Sequence, residues 1–219
     1  MTDERGATLV DTGIGPAGGA AAEWLGTAGR LPSLLEQAGV SATEIDTVIL
    51  THVHLDHTGW NTDGVAPRFP QATYVVQQAE FDHVTAGPNP TYERQLRPIV
   101  ETGRLRIVDG KTRLGKGIEV VPAPGHTPGH QVVVTPRAVL GGDVLVHPAQ
   151  AQWPELLYVY EREPEVAIAS RREVLELAKA LGVPIAAAHP HTPLDVTSYG
   201  VKGRGTAGTG RGLCPSQRI

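Results

Sequence analysis

The chain has 219 residues, 40% of them apolar and 19% charged, with a formal net charge of −4. This balance suits a single large globular domain with a sizeable core and excludes the broad basic surface that grips nucleic acid. Cys214 is the single cysteine, so an intramolecular disulfide is excluded and a metal site between positions 1 and 199 must use nitrogen and oxygen ligands.

The start, MTDERGATLV, is charged and lacks the apolar core of a secretory signal. No stretch approaches the about 18 apolar residues of a membrane span. The expectation is therefore no membrane contact and a cytoplasmic location. ATLVDTG (7–13) predicts a strand ending in a turn, and the Gly/Ala-rich stretch 14–29 predicts a loop. LPSLLEQAG (31–39) predicts a short helix stopped at Gly39. Ser41 and Glu44 have capping-box spacing, and TVILT (47–51) predicts a buried strand. ATYVV (72–76) predicts another strand, followed by helical pieces at 77–84 and 90–101. LRIVD (105–109), IEVVPA (118–123), HQVVVT (130–135) and AVLGGD (138–143) predict four more strands.

Residues 164–181 predict the best helix, opened by Pro164 and closed by Gly182. Its apolar positions Val166, Ala169, Val174, Leu177 and Leu181 recur at helical spacing. VPIAAAH (183–189) predicts a final strand. Residues 1–199 thus make one domain, and the Gly/Arg-rich run 200–219 is expected to be a disordered tail.

The chemistry concentrates in THVHLDHTGW (51–60). At a strand end His52 and His54 share a face, because alternate side chains do; Asp56 and His57 follow on the turn. Two histidines can grip one ion, and an Asp–His pair can grip a second nearby. His126 in PAPGHTPGH, Asp143 in LGGD and His189 in AAAHPH occupy similar places after apolar runs, with His191 a rival to His189. Any one histidine taken alone is more often structural; the cluster at 52–57 is what argues against chance.

THVHLDHTGWN resembles the H-x-H-x-D-H signature of the metallo-β-lactamase fold superfamily. DTG (11–13), GHTPGH (125–130) and GD (142–143) are similar to its other landmarks, in the same order. The resemblance spans residues 7 to 192 and implies an α/β (α+β) fold, a four-layer αβ/βα sandwich. It implies that His52, His54 and His126 hold one metal, that Asp56, His57 and His189 hold another, and that Asp143 bridges them. HLDHTGWN, FPQATYVVQQAEFDH, GDVLVHPAQ and REPEVAIASRREVLELA look like the methyl-parathion hydrolase and lactonase branch. True zinc β-lactamases often use a cysteine ligand, whereas Cys214 lies outside the motif region.

The implied activity is a dinuclear metal-dependent hydrolase that cleaves a lactone, ester or organophosphate. Its cofactors would be two divalent ions, zinc first, with manganese, iron or cobalt as alternatives. They would share a hydroxide that Asp56 helps to orient. Trp60, Asn61 and His147 are the candidates for lining the substrate pocket, and His130 for an outer partner of the ligands. His83 reads as a surface helix residue. The apolar segment WPELLYVY (153–160) reads as a cap on the substrate, a dimer contact or core.

Only about ten residues precede DTG, so the family's N-terminal hairpin is expected to be lacking and a sheet edge bare. The expected partner is a small-molecule substrate, with a homodimer left open. Three other readings share the scaffold: a glyoxalase II-type thioesterase, whose extra helical region has no counterpart here; a mono-iron oxygenase; and an inactive shortened homologue that binds metal or a partner.

Overall fold

Central strands buried on both faces divide the protein into layers. The computed structural model describes residues 2–3, 6–189 and Leu194. The expected tail at 200–219 and His191 lie outside the described residues. Strands β1 (Thr2–Asp3), β2 (Gly6–Val10), β3 (Ile45–Ile49), β4 (Thr73–Gln77) and β5 (Leu105–Val108) form one sheet in sequential order. Its β2 to β5 run parallel, with β1 antiparallel at the edge. Strands β6 (Thr112–Gly115), β7 (Ile118–Pro122), β8 (Gln131–Val134), β9 (Val139–Gly142) and β10 (Ile185–Ala187) form the second, in the order β10-β9-β8-β7-β6. Its pairs are antiparallel except β10 with β9.

The helices are α1 (Ala20–Leu25), α2 (Leu31–Gln37), α3 (Leu55–Thr58), α4 (Gln78–Thr85), α5 (Arg97–Glu101), α6 (Ala149–Gln152) and α7 (Pro164–Leu181). On β4, Tyr74 and Val76 face Leu96 and Ile99 in the outer helical layer. Val75, between them, faces Ile118, Val120 and Val133 of the other sheet. On β8 the neighbouring Val132 packs outward against Val174 and Ala178 of α7. Period-two alternation in two stacked sheets, each with helices outside, gives the four-layer sandwich. Each fully buried valine of the middle layer contributes about 1.5–3 kcal/mol.

Several boundaries depart from the sequence reading. The stretch expected as a loop at 14–29 contains α1, because AAAEWL is built on alanine, the strongest helix former. α3, β6 and α6 were not foreseen; four-residue elements are too short for a periodicity to show. α7 has the predicted bounds, with Gly182 in a left-handed cap. Its buried face, however, runs through Ala167, Arg171, Val174 and Ala178, while Val166 and Leu181 are exposed. The edge expected to be bare carries β1, which pairs with Gly6 and Ala7 of β2. Among the described residues no helix is long and apolar enough to cross a membrane.

Candidate metal centre

The loops that leave β2, β3, β7, β9 and β10 converge at one end of the sandwich. They carry Asp11, His52 to His57, His126, Asp143 and His189 respectively. Gln131, at the start of β8, joins the two sheets there: its side chain donates to Leu50 O (2.7 Å) and its backbone N–H to Thr51 O (2.9 Å).

All seven predicted ligands come together. His52 Nε2 lies 2.9 Å from His54 Nδ1, and His126 Nε2 lies 3.0 Å from the same atom. A second group comprises Asp56, His57 and His189. There His57 Nε2 lies 3.9 Å and His189 Nε2 3.8 Å from Asp56 Oδ2. Asp143 stands between the groups. Its Oδ2 is 3.3 Å from His126 Nε2, and its Oδ1 is 3.1 Å from His57 Nε2 and 3.2 Å from His189 Nε2.

The surrounding hydrogen bonds set which ring nitrogens carry protons. Thr51 Oγ1 donates to Asp11 Oδ2 (2.8 Å), so it is free to accept from His52 Nδ1 at 3.1 Å. That leaves a lone pair on His52 Nε2, facing His54. Asp11 Oδ2 also accepts from His57 Nδ1 at 2.8 Å, which turns the other ring nitrogen of a neutral His57 inward as a lone pair. His57 Nε2 and Asp143 Oδ1 are buried with no hydrogen-bond partner among the described residues. Buried lone pairs crowded at about 3 Å repel one another unless a cation or proton sits among them. Imidazoles and carboxylates suit zinc and similar first-row ions, so the donor set fits the implied pair of metals.

Electrostatics divide the histidines. Burial, then the neighbouring His57, holds His52 well below its ordinary range, and burial likewise lowers His54. Burial takes His126 down to about 3 and His130 to about 4. Burial also acts on His57, but the carboxylates of Asp143 and Asp11 more than offset it and raise it well above 6.5. The hydrogen bond to Asp143 raises His189. For Asp143, burial is outweighed by the nearby His57 and by the contact with His189, leaving its carboxyl well below the ordinary range.

The weaker sequence candidates divide differently. Trp60 lines a cavity of 550 Å³ that reaches Asp56, His57 and His189, with Ile14, Leu25, Leu34 and Leu140 among its apolar walls. Asn61 does not line it. It is fully buried, its Oδ1 accepting from Thr12 Oγ1 (2.9 Å) and its Nδ2 donating to Gln95 O (3.3 Å), so it braces the metal loop. His147 is exposed and accepts from the Ala149 N–H at the start of α6 (3.1 Å), a capping role outside the cavity. His130 is an outer partner: its Nδ1 donates to Ala123 O and its Nε2 accepts the Asp143 N–H at 3.0 Å. His83 lies on α4 in its last turn.

Two residues escaped the sequence reading as parts of the site. Asp11 was visible only as the first letter of DTG. Glu80, fully buried on α4, accepts the Val53 N–H (2.8 Å) and the Gly129 N–H (3.1 Å), tying the His52–His54 loop to the His126–His130 loop. Nothing local marks it, since an acidic residue in a first helical turn is commonplace.

The family model for the Metallo-beta-lactamase superfamily matches residues 1–191, and the chain belongs to that superfamily. It is 28% identical over 102 residues to an N-acyl homoserine lactonase of Bacillus sp, covering 47% of this chain and 37% of that protein. It is 25% identical over 153 residues to the N-acyl homoserine lactonase of Bacillus thuringiensis, covering 68% of this chain and 58% of that one. The chain therefore spans between 37% and 58% of the length of these curated relatives. Among solved structures it is similar to the hydrolase AbOPH of the beta lactamase superfamily, with TM-score 0.73 and 25% identity over 86% of this chain and 70% of that chain. AidC, a dizinc quorum-quenching lactonase, shares the fold at TM-score 0.69 and 22% identity over 86% of this chain and 70% of that one.

Proposed function

We propose that the chain is a metal-dependent hydrolase that opens a lactone or ester, using two divalent ions, zinc first. The observation that carries this reading is Asp143, whose carboxylate lies between two ligand groups, with Oδ2 3.3 Å from His126, Oδ1 3.1 Å from His57, and His189 within 3.2–3.3 Å of both oxygens. Membership of the superfamily and similarity to N-acyl homoserine lactonases support it. When bound, such a pair of ions supplies Lewis acidity toward a carbonyl oxygen and lowers the pKa of water toward neutrality.

The protein's own residues supply the rest. Asp56 is partly exposed and has no hydrogen-bond partner among the described residues, so its carboxylate is available to take the proton of an attacking water. Asp11 keeps His57 turned inward. Trp60, Leu25 and Leu34 form an apolar wall that suits a small-molecule substrate with an apolar substituent.

Elemental analysis paired with a panel of lactones, esters and phosphotriesters tests the reading. We expect two metals per chain, lactone or ester turnover, and joint loss of metal and turnover in His54→Ala. One iron per chain would favour an oxygenase, and two metals without turnover on any member of the panel would overturn the hydrolase.

A further inference from the structure

The apolar segment 153–160 is anchored by one residue. Arg171 of α7 is 1% exposed, and its Nε donates to Val144 O at 3.0 Å. One terminal nitrogen donates to the carbonyls of Pro154 and Leu156, the other to the buried carboxylate of Glu161. The second oxygen of Glu161 accepts the backbone N–H of Tyr158 at 3.2 Å. A buried ion pair gives little net stability over apolar packing. What this one fixes is the backbone from 154 to 161.

The consequence is the placing of Tyr158. Its ring lies over that of His126, with centroids 6.2 Å apart and planes 14° from parallel. Leu156, Leu157 and Val159 on either side are exposed, and Tyr158 belongs to none of the three core clusters. Tyr160 meets it edge-on at 5.4 Å, and Trp24 of α1 meets Tyr160 at 5.8 Å. An aromatic row thus runs from α1 to the first ligand group, while the 550 Å³ cavity reaches the second. The Tyr158 hydroxyl has no hydrogen-bond partner among the described residues. A phenol keeps its proton at neutral pH, so the Tyr158 hydroxyl is a donor.

We propose that Tyr158 contacts substrate, donating a hydrogen bond to an oxygen of the ligand seated at the metal groups, and that Glu161 and Arg171 are positioning residues that hold it there. The substrate in this statement rests on the hydrolase reading; the placing of Tyr158 does not.

The test uses zinc-loaded protein and hexanoate, a carboxylate with an apolar tail, whose binding is measured by calorimetry without need of turnover. Tyr158→Phe keeps the ring and removes the donor. With metal content unchanged, we expect hexanoate affinity and kcat/KM on the best panel substrate each to fall about tenfold. Glu161→Gln should weaken hexanoate binding similarly and shift the ¹³C-tyrosine resonance of Tyr158, which Tyr158→Phe identifies by its disappearance. The double variant should bind no more weakly than Tyr158→Phe alone. Unchanged hexanoate affinity in Tyr158→Phe overturns the contact, and additive losses in the double variant overturn the positioning. A panel without turnover, alongside weakened hexanoate binding in Tyr158→Phe, would sink the hydrolase and leave the contact standing.

Discussion

Asp11 Oδ2 lies 2.8 Å from His57 Nδ1 and 2.8 Å from Thr51 Oγ1, so one carboxylate oxygen orients a histidine in each ligand group. Its other oxygen accepts the Thr51 N–H at 2.7 Å. The residue holds φ of 57°, a left-handed conformation that costs about 1–2 kcal/mol and that aspartate tolerates better than most residues. Asp11→Asn keeps the shape but offers an amide N–H₂ where one of these donors now points. We expect metal affinity to fall about 10- to 100-fold with the fold retained. Competition with a chelator reads the affinity, and far-UV circular dichroism the fold. An affinity equal to that of the parent would show that the carboxylate does not tune the centre.

Glu80 offers a second lever, distant in sequence from the cluster at 52–57. Its two oxygens each take one backbone N–H, from Val53 and Gly129. Glu80→Gln replaces one acceptor with a donor facing a donor, which should cost about 1–3 kcal/mol in a denaturant titration. Gly129→Ala attacks the same junction sterically: a Cβ there would stand 2.0 Å from the backbone nitrogen of Glu80. It should destabilise by about 1–3 kcal/mol or more, because backbone cannot swing aside. A neutral result in both variants would mean that the loops are held by something else.

How much of this was legible in the sequence follows the range of the interactions. The clustered side chains could be read because six positions, 52–57, hold four of them and the others follow apolar strands. α7 could be read because 18 residues give a helical period room to show, with Pro and Gly at its ends. α1 could not, since alanine and glycine mixed together suit loop and helix alike. The contacts of Glu80 with Val53 and Gly129 span 27 and 49 positions, and no local pattern encodes such a meeting. Asn61 was misread for the same reason: its partners, Thr12 and Gln95, are remote in sequence.

Asn61 and His147 separate bracing from binding. Asn61→Ala removes the acceptor for Thr12 Oγ1 and leaves a buried gap, so unfolding should become easier by about 1–3 kcal/mol. His147→Ala removes only a cap on α6, with an expected cost of about 1 kcal/mol or less. KM for the best substrate should stay within about twofold of the parent in His147→Ala, since about 0.4 kcal/mol is all that a twofold change represents. A large rise in KM for that variant would restore His147 to the pocket.

The metal-free protein should show a stability maximum near pH 6.5, the ordinary histidine pKa. Below it, the unfolded chain protonates His52, His54, His126 and His130, whereas the folded state resists. His130 holds out to about 4 and His126 to about 3. The unfolded state then binds more protons, so stability falls as pH falls through this window. Above pH 6.5 the sign reverses. Folded His57 and His189, both raised, keep protons that the unfolded chain has lost, and stability declines as pH rises toward their folded values. Four groups shape the acid limb and two the alkaline limb, so the acid limb should be steeper. Metal loading requires His57 and His189 as lone-pair donors, so binding releases their protons and the alkaline decline should disappear. Denaturant midpoints between pH 4.5 and 9, taken with and without zinc, check both limbs. An alkaline decline that survives metal loading would show that these two histidines stay protonated and do not bind the ion.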